Sequence, residues 1–218
     1  MAPMPLAESA YTTLRDLILS GELPPEHAIT ENAIVDRLAI GKTPVREAMR
    51  RLVLEGLLDV TPRLGYKVAG INLGDIDDLF QLREITEVAA ALLAMDRLTD
   101  AQLDRLTELS TVGYVPDDRE SMIEYIAVNA EFHHIIAHAT GNARLASLIE
   151  RLMQESRRFI QIVILSDEHG QVVIDQHIAI VDALRARDRE ALTEAVRAHV
   201  LDGHHITRDS FNGARLTR

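Results

Sequence analysis

Apolar residues recur with a helical period along most of this chain, and the interruptions are sharp. Between Leu6 and Ser20 the residues Tyr11, Leu14, Leu17 and Ile18 fall on one face, and Gly21 ends the run. Leu23-Pro24-Pro25 cannot continue a helix and predicts a loop. Thr30 is placed to cap a second helix, with Ile34, Val35 and Leu38 inward. Ala39-Ile40-Gly41 turns into a third helix, Lys42 to Gly56, whose Val45, Ala48, Met49 and Leu52 share a face. Thr43 reads as its N-cap and Pro44 as its first helical residue. After Gly56 the period changes. Leu57-Leu58-Asp59-Val60 and Tyr66-Lys67-Val68 flank a Pro/Gly turn and predict a two-stranded hairpin. Gly70 to Gly74 reads as a linker. Beyond it there is no strand pattern. Six helices are expected at about 75–95, 99–111, 119–139, 142–165, 168–187 and 189–211, with a capping box at Thr99–Gln102.

The fold class that follows is mainly α. Residues 1–70 form a winged helix-turn-helix with a two-stranded β wing, and residues 75–212 an all-α, six-helix antiparallel bundle. In the third helix, Lys42, Arg46 and Arg50 line the side opposite the apolar face at steps of four. A short helix with a buried back and a cationic front suits a DNA major groove. Alone it would pass for a solvated surface helix; the preceding helix and the following hairpin favour DNA. Arg63 and Lys67 put charge near the hairpin tip, and Gly65 permits close backbone approach to a phosphate.

Charge sharpens this reading. The 218 residues carry a formal net charge of −11, which disfavours a generally sticky nucleic-acid binder. Residues 1–70 hold 8 Lys+Arg against 9 Asp+Glu, and the rest 15 against 25, so the halves stand at −1 and −10. Four cations and one Glu fall between Lys42 and Arg51, a local positive face on a near-neutral module. There is no cysteine, which excludes disulfides and thiolate metal sites and fits a reducing cytoplasm. No apolar run approaches the ~20 residues of a membrane span, and no secretory signal pattern opens the chain. The expected location is cytoplasmic.

Polar residues on apolar faces supply the candidate chemistry. Asn129 and His133 share a face with Ile126 and Ile136. His177 shares one with Val173, Ile180, Val181 and Leu184, and His199 one with Leu192, Val196 and Ile206. A single inward histidine is usually a satisfied core residue. Three, with an oxygen donor one turn before the first, point to a shared divalent transition metal: zinc foremost, with nickel, iron or copper as alternatives. Arg83 falls among Ile76, Leu79, Thr86 and Ala90, and a buried guanidinium needs an anion. Glu87, at i+4, and a ligand carboxylate both fit. His134 and His138 fall on another face, without partners, and read as surface or interface residues.

The strings Leu23-Pro24-Pro25, Thr43-Pro44-Val45-Arg46-Glu47-Ala48 and Glu55-Gly56-Leu57, followed by Arg63, Gly65 and Val68, resemble the winged helix of GntR-family bacterial regulators. Gly41-Lys42 stands where that family usually has Ser-Arg, which keeps the charge without the bidentate fork. Leu82-Arg83, Glu87, Asn129, Phe132-His133, Gly141-Asn142, His177 and His199 resemble the FCD effector domain of the FadR-like branch, in its six-helix, VanR-like form. The resemblance implies a ligand-responsive transcriptional repressor that binds a palindromic operator in double-stranded DNA as a homodimer. Asn32 matches a position that reaches DNA in relatives and joins Lys42, Thr43, Arg46, Arg50, Arg63 and Gly65. The family's metal set falls on Asn129, His133, His177 and His199, with Asn where Asp is commoner, and its effectors are small organic acids, for which Arg83 is the candidate contact. Two rival readings are a metal-dependent helical enzyme with a DNA-binding appendage and a regulator whose metal is purely structural. Against the enzyme, no H-E-x-x-H occurs and no carboxylate base stands at motif spacing from the histidines.

Overall fold

A computed structural model describes residues 4–62, 65–115, 118–163 and 170–216. The chain divides into two compact units, Met1–Asn72 and Leu73–Arg218.

The first unit runs α1 (Leu6–Leu19), β1 (Ala28–Ile29), α2 (Glu31–Leu38), α3 (Lys42–Leu54), β2 (Leu58–Thr61) and β3 (Gly65–Val68). Its core is the set the helical period selects. Leu14, Ile18, Ile34, Val45, Ala48, Met49 and Leu52 are buried, with Tyr11, Leu17, Val35 and Leu38 packed partly buried around them. Thr30 caps α2, its hydroxyl accepting from the Ala33 amide at 3.2 Å.

Two expectations are corrected here. The N-cap of α3 is Gly41, not Thr43, and no side chain caps it. Thr43 and Pro44 lie inside the first turn, whose amides have no carbonyl to bond within the helix, so proline is tolerated there as well. The sheet has three strands rather than two, in the order β1-β3-β2, antiparallel throughout. The extra strand, β1, pairs Ala28 with Lys67 and Ile29 with Tyr66. It also explains Gly65. The residue sits at φ +104°, and a Cβ there would stand 2.9 Å from the Ile29 carbonyl oxygen. The close approach that glycine permits is therefore to the chain's own backbone.

Among the described residues the second unit is six helices: α4 (Leu73–Ala94), α5 (Asp100–Ser110), α6 (Arg119–Ala139), α7 (Ala143–Val163), α8 (Gly170–Ala186) and α9 (Arg189–Leu216). They match the expected stretches to within two residues except at the C-terminal end of α9, which runs five residues further; residues 164–165 and 168–169 of the expected stretches lie outside the described residues. Thr99 and Gln102 form the capping box. α4 packs most extensively on α9 and also meets α6 and α7, while α8 lies against α5 and α9. Phe132, Ile180, Leu184, Leu192 and Val196 fill the space between them. No described helix is long and apolar enough to cross a membrane.

Replacing Gly65 by Ala forces a side chain into left-handed backbone and against the Ile29 carbonyl. It should cost the first unit about 1–3 kcal/mol. Hydrogen exchange of the β1 and β3 amides reads that unit separately; wild-type protection in the variant would contradict the assignment.

Candidate functional site

Two places collect the residues singled out above. On α3, Val45, Ala48, Met49 and Leu52 are buried, while Lys42, Thr43, Arg46 and Arg50 are exposed on the opposite side, and Asn32 is exposed on α2. The amphipathic period thus positions the cations: burying one face leaves the other in solvent. Arg46 does not hang free. Its Nε and one terminal nitrogen donate to the two carboxylate oxygens of Glu31 at 2.8 and 2.7 Å. That hydrogen-bonded pairing raises the Arg46 pKa and lowers that of Glu31. Among the described residues Lys42 and Arg50 form no ion pair. The neighbouring Arg51 is used internally, bonded to Glu8 at 2.9 Å and stacked 3.5 Å from the Tyr11 ring centroid. Lys67 is held by Glu26 at 2.6 Å. Arg63 lies outside the described residues.

In the helical unit, α6, α8 and α9 each bring one histidine to a common interior point. His133, His177 and His199 are 6, 2 and 7% exposed, and one ring nitrogen from each lies within 4.8 Å of the others. His133 Nδ1 is 3.0 Å from Glu87 Oε2, and His199 Nδ1 is 3.3 Å from Gln176 Oε1. Both oxygens accept, so both Nδ1 atoms carry the hydrogen, a tautomer assigned from the partners. The two Nε2 atoms face one another at 3.3 Å, and on the His199 ring that atom is a bare lone pair. His177 Nε2 is buried with no hydrogen-bond partner among the described residues. Burial first, and then the charge of neighbouring rings, pushes His177 well below its ordinary value and His199 down to about 3, so both rings are neutral at physiological pH.

Such a centre fits a metal ion. Neutral imidazoles with the far nitrogen fixed by a carboxylate or amide are what a metal requires of its ligands. Nitrogens bound to tetrahedral zinc at about 2.0–2.1 Å sit roughly 3.3 Å apart, which is the His133–His199 separation. Asn129 lies one turn before His133 and is buried, but no hydrogen bond joins it to the three rings. It lines a cavity of about 210 Å³ between α6 and α7, with His134, Glu150, Met153 and Gln154.

Arg83 is buried, and its Nε donates to Glu87 Oε1 at 2.7 Å. Of the two anions open to it, Glu87 is in place. Burial alone would raise the Glu87 pKa, but Arg83 and His133 reverse this and hold it well below the usual carboxylate range. Arg83, Glu87 and His133 form one buried chain, so Glu87 orients a ring as well as neutralising a cation. Periodicity marks Glu87 only as a partner at i+4, because its reach to α6 depends on how the helices pack. Gln176, next to His177 in sequence yet bonded to His199, was missed for the same reason. The exposed pair His134 and His138, without a partner in the sequence reading, meets Glu150 of α7. His204 is bonded to Asp77 at 2.7 Å and stacked on Phe80.

Comparison with known proteins agrees with both halves. Residues 6–68 match the model for bacterial regulatory proteins of the gntR family, and residues 78–202 match the FCD domain. The chain is 28% identical over 216 residues to the HTH-type transcriptional repressor GlaR of Escherichia coli, covering 93% of this chain and 96% of that protein. It is 25% identical over 199 residues to the HTH-type transcriptional regulator YdhC of Bacillus subtilis, covering 90% and 88%. Its fold resembles the solved structure of E. coli McbR/YncC, with a TM-score of 0.78 at 23% identity over 96% of this chain and all of that one. The chain therefore belongs to the gntR family of bacterial regulatory proteins and carries an FCD domain: it is a transcriptional regulator and not an enzyme.

Proposed function

We propose that this regulator is a metal-dependent, ligand-responsive repressor that binds a palindromic operator as a homodimer. Lys42, Thr43, Arg46 and Arg50 on α3, with Asn32 on α2 and Arg63, contact the DNA, and base edges are read by the α3 cations. Arg46 reaches DNA by exchanging the Glu31 carboxylate for a phosphate or a guanine, so Glu31 keeps its guanidinium extended and in register meanwhile. Repression is supported by the similarity to GlaR. A homodimer is supported by Leu82, Ile85 and Leu93, which leave α4 with apolar side chains 46, 62 and 44% exposed. A bacterial repressor meets its operator in the cytoplasm.

In the helical unit, His133, His177 and His199 hold a divalent transition metal, zinc foremost, and Asn129 adds an oxygen directly or through water. The observation that carries this is the pair of Nε2 atoms facing one another at 3.3 Å. A bound metal supplies a Lewis-acidic point for the carboxylate of a small organic acid. Arg83 keeps its terminal nitrogens, which have no hydrogen bond among the described residues, for the same carboxylate. The effector alters operator affinity to the extent that it binds the DNA-competent and incompetent forms differently.

Arg46→Ala should weaken binding to a duplex selected from a random pool by the wild-type protein. The expected loss is about 1–3 kcal/mol at fixed salt, and unchanged affinity would remove Arg46 from the interface. His177→Ala should lower the zinc content of purified, untagged protein; equal metal in mutant and wild type would contradict the ligand assignment.

A further inference from the structure

A second set of donor side chains converges on the outer surface of the bundle. His134 and His138 stand one turn apart on α6, their ring centroids 4.0 Å from one another. Glu150, from α7, takes both on one oxygen: Oε1 is 3.0 Å from His134 Nδ1 and 2.7 Å from His138 Nε2. The side chains are 53, 51 and 36% exposed, and one ligand atom from each lies within 4.8 Å of the others.

A surface ion pair accounts poorly for this arrangement. Pairs this exposed contribute little to stability, and one carboxylate oxygen needs only one imidazolium. Two rings stacked at 4.0 Å repel if both are charged. Their shared carboxylate and their i, i+4 spacing are instead the terms of a metal site. Two histidines at i and i+4 are how a single helix presents a pair of ligands to zinc, and a carboxylate is the common third donor. The nitrogen–oxygen separations of 2.7 and 3.0 Å fall a little short of the roughly 3.3 Å between ligands of tetrahedral zinc. Exposed side chains can open by that amount without moving the backbone. His134 follows His133 directly, about 100° further round the helix, so the outer ring does not compete for the inner ion.

We propose that His134, His138 and Glu150 form a second, solvent-facing site for a divalent transition metal. An ion there ties α6 to α7 and keeps one or more positions for water. His134 and Glu150 also line the cavity that Asn129 borders, so the ion closes one wall of that space. It also fixes the helix that carries His133.

The test is zinc stoichiometry in untagged, full-length protein stripped with chelator and dialysed against micromolar zinc chloride. The double variant His134→Ala/His138→Ala should bind one zinc fewer per chain than wild type, with the same helical circular dichroism. Because the result is a difference, it stands whether or not the inner histidines load. Equal zinc in the two proteins would overturn the site. Glu150→Gln should weaken the same equivalent, and wild-type affinity in that variant would overturn the three-donor set.

Discussion

Two buried imidazole nitrogens face one another across 3.3 Å, each ring donating through its other nitrogen, and the helical unit is arranged around that confrontation. Nothing in an apolar core favours it. Burying neutral histidines costs desolvation, and burying Arg83 with Glu87 costs more. Well-packed apolar side chains at these positions would stabilise the bundle at least as well. What the polar set does accomplish is orientation. Arg83 holds Glu87 ionised, Glu87 fixes the tautomer of His133, and Gln176 does the same for His199. The outcome is a point between α6, α8 and α9 lined by oriented ring nitrogens, which suits a cation.

The DNA-binding half depends on a simpler constraint. One face of α3 is buried in the core of the first unit, and this sets the direction of every cation on the other. The net charge of the whole chain is strongly negative, which disfavours general affinity for DNA and sets this local cationic face apart. Glu31 refines it. It holds Arg46 bidentately, so a phosphate would have to displace a carboxylate already in place.

Much of this was legible in the residues because it is local. The apolar stripe of α3, the Thr30 cap, the Thr99–Gln102 box and the inward direction of three histidines follow from spacing within one helix. What escaped was either too short or too distant. β1 is two residues long and offers no alternation to read. The cap of α3 falls on Gly41, which has no side chain to announce it. Glu31 meeting Arg46, Glu87 meeting His133 and Glu150 meeting the outer histidines all join different helices, and the packing that brings them together is not encoded at any single spacing. Gly65 was legible as a close-approach residue, but the strand it accommodates was not.

The central claim is that the inner rings are metal ligands rather than a hydrogen-bonded core cluster. Anomalous diffraction from crystals of the untagged protein grown with zinc, recorded above and below the zinc edge, addresses it directly. The account predicts an edge-dependent peak bonded to His133 Nε2, His199 Nε2 and a nitrogen of His177. No peak at that point would contradict it, above all if the two Nε2 atoms kept their separation around a shared proton.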